Sequence, residues 1–172
     1  MEFNNRPNFQ VKDEATGEHH WVSRSVAVVA IPLFRFCSCY WVPMGLRSDL
    51  VPESGKWGLP CGFLDYDESA QDAVRREIWE ELGIELEKKD VNTQPNSVIS
   101  KPVKEEAQTV SLRFIIHKSV KELPPLRPGK EVLSAVWLPV CLISSLEQKQ
   151  PIPIKGMDMA YNHPEIIKWS LS

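Results

Sequence analysis

The sequence predicts an α/β (α+β) fold in which helices pack on a mixed β-sheet. Runs of apolar and β-branched residues at 24–31 and 108–118 are typical of buried strands. Between them, residues 68–82 carry an apolar side chain at every fourth position, which predicts an amphipathic helix. Strands before and after a central helix indicate a mixed sheet with helices packed on it.

The remaining elements are predicted from period-2 alternation, turn residues and short apolar stretches. They are a hairpin at 9–22, a strand at 33–44 ended by Pro43, a loop from Arg47 to Lys56, strands at 97–103 and 131–138, and short helices at 141–148 and 164–170.

The helix at 68–82 has suitable residues at both ends. Asp67 or Ser69 can cap its start, where a side-chain oxygen accepts a free backbone N–H. Gly83 follows its end, where a left-handed residue is wanted. The apolar stripe of this helix consists of Ala70, Val74, Ile78 and Leu82.

Length and composition predict one globular domain. The chain has 172 residues, enough for a single core, and we expect one domain over 1–172 with its core at about 20–150. The net charge of -3 gives no general attraction to nucleic acid or anionic membrane, so neither is an expected partner. The sequence shows no secretory signal, and no stretch reaches the ~18 apolar residues of a membrane span, which predicts a cytoplasmic protein.

Three glutamates on the predicted helix are the first indication of chemistry. Glu77, Glu80 and Glu81 stand at i, i+3 and i+4 and fall within about 100° of arc on one helix face. Like charges at this spacing destabilise a helix, so something should offset their repulsion. A hard divalent cation such as Mg²⁺ does so, because it takes oxygen ligands and keeps waters and substrate phosphates as well. Taken alone, the cluster also fits a solvated acidic surface.

The residues around the cluster favour the metal site. Residues 62–84 read GFLDYDESAQDAVRREIWEELGI, with Gly62 and Gly83 bracketing the unit at turn positions. A chance match to the Nudix box anywhere in the chain is on the order of 10⁻⁷ at about 6% usage for each fixed residue. The chain therefore resembles the Nudix hydrolase family (MutT-like), and WGLP at 57–60 and WLP at 137–139 also resemble that family. The matching box residues are Gly62, Glu68, Arg76, Glu77, Ile78, Glu80, Glu81, Gly83 and Ile84.

The resemblance implies a Nudix-like α/β/α sandwich around a mixed sheet and a Mg²⁺ cofactor, with Mn²⁺ as a substitute. Arg76 would serve catalysis by orienting Glu77 through a charge-assisted hydrogen bond. Glu68 would hold the loop and helix together. The metal ligands that the resemblance implies are Glu77, Glu80, Glu81 and the backbone carbonyl of Cys61.

The implied activity is cleavage of a phosphoanhydride bond in a nucleoside diphosphate linked to another moiety, by metal-activated attack of water at phosphorus. A base must take the proton of that water. Glu81 is one candidate. Glu131 is the first choice outside the box, because it lies six residues before Trp137, much where some family members carry an additional glutamate. Glu105 and Glu106 are weaker alternatives.

Substrate contacts are predicted from cationic and aromatic residues. Arg24 and Arg113 are candidates for phosphate contact, and Trp57 is a candidate for stacking a base. No histidine is assigned a role, because none has a partner at ligand spacing. Other side chains of these types that can meet a phosphate or a base are Arg47, Lys56, Lys130, Trp21 and Tyr66.

Two other functions stay open at this point. A non-catalytic Nudix module that binds a nucleotide is one, although the complete set of box acids argues against it. An isomerase acting on a diphosphate ester, similar to isopentenyl-diphosphate isomerase, is the other. It would need a cysteine and glutamate pair beyond the box, and Cys61 is the one cysteine near it. The candidate substrates are nucleoside triphosphates, ADP-ribose, other nucleotide sugars, dinucleoside polyphosphates and coenzymes, and a homodimer is the candidate assembly.

Overall fold

A small antiparallel hairpin precedes the main sheet. Strand β1 (Phe9–Lys12) pairs with β2 (His19–Val22), which confirms the predicted hairpin. The hairpin stands apart from the main sheet as a two-stranded unit. The computed structural model describes residues 8–101, 108–140 and 157–171.

Seven strands of the described residues form one mixed sheet. They are β3 (Val26–Phe36), β4 (Cys39–Arg47), β5 (Trp57–Gly58), β6 (Cys61–Phe63), β7 (Ser97–Ile99), β8 (Val110–Ser119) and β9 (Val132–Pro139). Their order is β5-β4-β3-β8-β7, with β6 paired to β3 and β9 paired to β4. Strands β3 and β8 run parallel, and the other pairs are antiparallel. The predicted mixed sheet is confirmed.

The turn between β3 and β4 lies later in the chain than the sequence indicates. The prediction of a strand at 33–44 that ends at Pro43 is wrong, since the turn is at Cys37 and Ser38, both with positive φ. Strands β3 and β4 pair only next to this turn and then diverge, β3 to β6 and β4 to β5. Pro32 and Pro43 lie just beyond the last β3–β4 pair, where the ladder between these two strands has ended, and each keeps a register partner in its other neighbouring strand.

The predicted central helix is α1 (Ala70–Leu82), and it is capped at both ends. Ser69, rather than Asp67, is the N-cap, and its hydroxyl accepts the N–H of Asp72 at 3.1 Å. Gly83 ends the helix in the left-handed conformation with a φ of 68°, which glycine adopts without a Cβ penalty. The helix boundary is thus set by local chemistry.

Two shorter helices follow. A 3₁₀ turn, η1 (Lys88–Asp90), comes soon after α1. The helix predicted at 164–170 is α2 (His163–Trp169), with a proline in its first turn, where the missing N–H is tolerated. The helix predicted at 141–148 lies outside the described residues. Within the described ranges, no helix is long and apolar enough to cross a membrane.

Apolar side chains fill both faces of the main sheet. One face packs against α1, where Val74, Ile78 and Leu82 are fully buried. The other face packs against α2 through Ile166 and Ile167. Each such side chain contributes roughly 1.5–3 kcal/mol when fully buried. The layers are therefore helix, sheet and helix, as the resemblance implies.

Candidate functional site

Helix α1 and strand β6 bring two glutamate carboxylates together. Glu77 and Glu81 lie one turn apart on the inner face of α1 and are only 6% and 7% exposed. Glu77 lies so close to Gly62 that a Cβ there would come within 2.1 Å of a carboxylate oxygen. Cys61 donates its backbone N–H to Glu81 Oε1 at 3.4 Å. The backbone of β6 is therefore the floor of the site, and Gly62 permits the close approach.

Arg76 connects the acids of this region. Its Nη1 donates to Glu77 at 2.6 Å and to Glu80 at 3.1 Å. Its Nε and Nη2 donate to the two carboxylate oxygens of Glu68 at 3.1 and 2.6 Å, a paired geometry that suits the guanidinium fork. Nη2 also donates to the carbonyl of Phe63 at 3.0 Å. One guanidinium thus joins the end of β6, the loop before α1 and the inner face of α1.

Burial opposes ionisation of the inner carboxylates. Desolvation raises the pKa of Glu81 to about 8, and the charges of Glu77 and Glu131 add to this shift. Desolvation also raises the pKa of Glu77, although hydrogen bonds from Arg76 oppose it. The same guanidinium holds the pKa of Glu68 below its usual range. The space between α1 and β6 therefore holds two carboxyl groups whose charged forms burial disfavours.

The donor set at this place suits a hard divalent cation. Clustered carboxylate oxygens are ligands that Mg²⁺ and Mn²⁺ take, and a cation would favour the charged forms that desolvation disfavours. The side chain of Glu80 is 50% exposed and is bonded to Arg76 Nη1, which also donates to Glu77. No three Asp, Glu, His or Cys side chains of the described ranges are grouped as a ready metal site. To bind the ion, the carboxylate of Glu80 would have to give up its hydrogen bond with Arg76.

The segment before β9 packs against the end of α1 and leads into Glu131. Two backbone N–H groups of this segment donate to the last carbonyls of α1, at 2.8 and 3.2 Å. Gly129 lies so close to the helix that a Cβ there would be 1.8 Å from the carbonyl oxygen of Glu80. Glu131 is exposed, and its charge raises the pKa of both Glu77 and Glu81. Glu131 thus follows two residues after the N–H that bonds to the Glu81 carbonyl, and its charge acts on the inner pair.

Comparison with known families agrees with this geometry. The family model described as NUDIX domain matches residues 23–157, which include the whole α1–β6 site. The chain belongs to the Nudix family. A curated relative, a MutT-like protein from Streptomyces ambofaciens, is 49% identical over 35 residues. That match covers 20% of this chain and 23% of the relative.

Solved structures share the Nudix fold. A bifunctional NMN adenylyltransferase/ADP ribose pyrophosphatase from Francisella tularensis, complexed with AMP and a Mn ion, aligns with a TM-score of 0.66 and 22% identity, over 87% of this chain and 41% of that one. The NUDIX domain of Shewanella oneidensis NrtR, complexed with ADP ribose, aligns with a TM-score of 0.62 and 19% identity, over 87% and 88%. At these identities the likeness concerns the fold.

Arg47 lies beside the Nudix site and is more deeply buried than its sequence context suggests. It ends β4, is 8% exposed, and donates through Nη1 to Cys61 Sγ at 3.8 Å. Its charge opposes the raised pKa of Glu81. The sequence places Arg47 only among general phosphate candidates, because a strand-end arginine shows no pattern that predicts burial.

The three predicted substrate contacts have different surroundings. The guanidinium of Arg24 donates to the carbonyls of Gln108 and Thr109. Trp57 is half-buried and packs against the apolar cluster beneath α2. Arg113 has a buried Nε with no hydrogen-bond partner among the described residues. Of the three, Arg113 therefore has the clearest unused donor.

Proposed function

We propose that this Nudix chain is a divalent-metal-dependent hydrolase of phosphoanhydride bonds, of the nucleotide pyrophosphatase type. Its substrate would be a nucleoside diphosphate linked to another moiety. The observation that carries the proposal is the pair of buried carboxylates, Glu77 and Glu81, placed over the backbone of β6 by residues of the Nudix box.

The proposed metal ligands are Glu77, Glu80, Glu81 and the backbone carbonyl of Cys61. A Mg²⁺ or Mn²⁺ ion, when bound, neutralises phosphate charge and makes a water molecule more acidic. The raised pKa values of the inner pair support this assignment, because two buried carboxylates are stabilised in the charged form by a cation. The hydrogen bonds of Arg76 hold Glu77 and Glu68 in place, so Arg76 acts by positioning.

Glu131 is the proposed general base, with Glu81 as the alternative. Its support is that it is exposed and that its charge acts on both inner carboxylates. The weaker alternatives, Glu105 and Glu106, lie outside the described residues. Arg113 is the proposed phosphate contact because its buried Nε has no partner among the described residues. Trp57 and Arg24 remain predictions for base and phosphate contact.

ADP-ribose is the first substrate to test. The Francisella tularensis protein is an ADP ribose pyrophosphatase in one of its two activities, and the Shewanella oneidensis domain holds ADP ribose. These proteins share the fold of this chain, which supports the choice of ligand for a first assay. A cytoplasmic location and a homodimer remain predictions from the sequence.

The isomerase alternative finds little support in the structure. It would need a reactive cysteine at the site, whereas burial and the charge of Glu81 raise the pKa of the Cys61 thiol to about 12. A thiol with such a pKa stays neutral and weakly nucleophilic near pH 7. The hydrolase is therefore the function that the site favours.

A product screen tests the proposal. The protein is incubated with ADP-ribose, a nucleotide sugar, a nucleoside triphosphate, a dinucleoside polyphosphate and a coenzyme, with Mg²⁺ or Mn²⁺, and products are identified by mass. We expect ADP-ribose to give AMP and ribose 5-phosphate, and EDTA to abolish the reaction. Hydrolysis in ¹⁸O-water identifies the attacked phosphorus. Absence of turnover across the whole panel with either ion would overturn the proposal.

A further inference from the structure

The C-terminal segment, residues 157–171, is bonded to the strand that leads into the site. Trp57 donates its N–H to the carbonyl of Asp158 at 2.7 Å, and Ala160 donates to the carbonyl of Trp57 at 2.8 Å. Trp57 and Met159 form a parallel bridge. This segment therefore holds β5 from the side opposite β4.

His163, the first residue of α2, accepts a hydrogen bond from Leu59, two residues after Trp57. Leu59 donates its buried N–H to His163 Nδ1 at 2.9 Å, across 104 positions of the chain. His163 is 2% exposed, and Leu59 is fully buried. Leu59 lies between β5 and β6 rather than within a strand, so the imidazole supplies the acceptor that a buried N–H requires.

Leu59 is connected to the catalytic centre through a short, stiff stretch. Pro60 follows, with its fixed φ, and its carbonyl accepts the N–H of Ala30 at 2.9 Å. Cys61 comes next and donates its N–H to Glu81. A displacement of Leu59 would therefore displace the backbone of Cys61, whose N–H bonds to Glu81 and whose carbonyl is a proposed metal ligand.

The same C-terminal segment also contacts Arg47. The guanidinium carbon of Arg47 lies 5.5 Å from the centre of the Tyr161 ring. Arg47 in turn donates to Cys61 Sγ and, through Nε, to the carbonyl of Pro52 at 2.7 Å. Cys61 is thus held through Leu59 on its backbone side and through Arg47 on its side-chain side.

We propose that His163 is a positioning residue for the metal site, acting through Leu59 and Cys61 on the carboxylate of Glu81. This inference rests on the proposed function for its catalytic consequence. It also makes a claim about metal affinity alone, which can be measured without any substrate.

A titration of the whole chain with Mn²⁺ tests the inference. Electron paramagnetic resonance measures the free ion and so gives the binding affinity. His163→Asn keeps a short acceptor near the position of Nδ1, whereas His163→Leu removes it and His163→Gln places its acceptor elsewhere. We expect His163→Leu and His163→Gln to weaken Mn²⁺ binding by ~10-fold or more and His163→Asn to recover most of it, as for other residues that orient metal ligands. Circular dichroism in the near ultraviolet identifies conditions where each variant is folded, and His163→Gln serves if His163→Leu does not fold.

Ile167→Ala is the matched control for loss of stability. Ile167 lies in the same helix and is 1% exposed. It packs in the same apolar cluster as Leu59, but the hydrogen bond of the Leu59 N–H goes to His163. We expect this variant to unfold at a lower temperature but to bind Mn²⁺ as the unmodified protein does. With a substrate in hand, His163→Leu should lower kcat by ~10-fold or more with little change in KM.

The outcomes separate the two proposals. Normal Mn²⁺ affinity in folded His163→Leu or His163→Gln, or an equal loss in Ile167→Ala, would overturn the positioning role. If the unmodified protein binds Mn²⁺ but hydrolyses no nucleotide, the proposed function fails while the role of His163 is still decided by the binding data.

Discussion

Glu81 shows, at the scale of one side chain, how a buried carboxyl group of the proposed metal site opposes stability. Its pKa in the folded chain is about 8, against 4.5 for an ordinary glutamate. A carboxyl whose folded pKa is raised stabilises the fold fully below pH 4.5, and that contribution is lost as the pH rises through 8. The loss amounts to at most about 1.4 kcal/mol for each pH unit between these values. A bound cation would restore it.

Glu81→Gln should therefore separate activity from stability. We expect kcat to fall by ~10²-fold or more, because one preorganised charged group at the reacting centre is removed. In EDTA, the variant should be more stable than the unmodified protein, and the difference should grow from pH 4.5 to 8. Thermal unfolding across this range measures it, with Glu85→Gln as an exposed control.

The site acids and their support within the motif, Arg76 and Glu68, were predictable from sequence, while the supports from distant parts of the chain were not. Glu77, Glu80 and Glu81 are adjacent on one helix, so a short motif places them together. Arg47 and His163 become important only because folding buries them against residues far away in the chain. No local spacing indicates that Leu59 needs an acceptor from residue 163.

Helix α1 and the segment before β9 form a unit at the scale of elements. The segment caps the carbonyl end of α1, so it satisfies groups that a helix leaves unpaired and also fixes where Glu131 lies. Gly129 makes this contact possible, because any larger residue would collide with the helix backbone. The end of the helix and the proposed general base are therefore coupled.

Gly129→Ala should damage both stability and catalysis. The added Cβ would have to move away from a carbonyl oxygen 1.8 Å distant, which shifts backbone rather than a flexible side chain. We expect a loss of ~1–3 kcal/mol in the free energy of unfolding, as for other overpacked sites, together with a lower kcat. Denaturant unfolding and initial rates measure the two effects. Lys121→Ala, at an exposed position between β8 and β9, should change neither strongly.

The contact between α2 and the β5–β6 turn predicts a dependence of stability on acid. Burial lowers the pKa of His163 to about 4, from 6.5 in an unfolded chain. The stability that the neutral imidazole contributes is therefore complete above pH 6.5 and is lost as the pH falls toward 4. The asparagine of His163→Asn does not titrate. The stability of this variant relative to the unmodified protein should therefore increase as the pH falls from 6.5 toward 4. Parallel pH curves for the two proteins would contradict this.

The strands show why elements are easier to predict than their partners. Capping residues and an apolar stripe placed α1 correctly because both signals are local. The β3–β4 turn was misplaced because a proline usually ends a strand, and only the diverging sheet explains why Pro32 and Pro43 are tolerated. That divergence depends on pairing with β5 and β6, which follow later in the chain.

Across the whole molecule, the site depends on elements from distant parts of the sequence. The central parallel pair joins β3 to β8, with Val26 opposite Val110, and no sequence pattern indicated that register. Helices on the two faces then accept hydrogen bonds from neighbouring backbone groups. Glu81 of α1 accepts the N–H of Cys61, and His163 of α2 accepts the N–H of Leu59. The predicted single domain over 1–172 is consistent with this dependence and remains a prediction.

The rate of ADP-ribose hydrolysis by the full chain with Mg²⁺ or Mn²⁺, compared with Glu81→Gln, tests the central claim most directly. We expect AMP to be released by the unmodified protein, release to stop in EDTA and resume when the ion is restored, and Glu81→Gln to be slower by ~10²-fold or more. Turnover that survives EDTA, or a folded Glu81→Gln protein with an unchanged rate, would contradict the account.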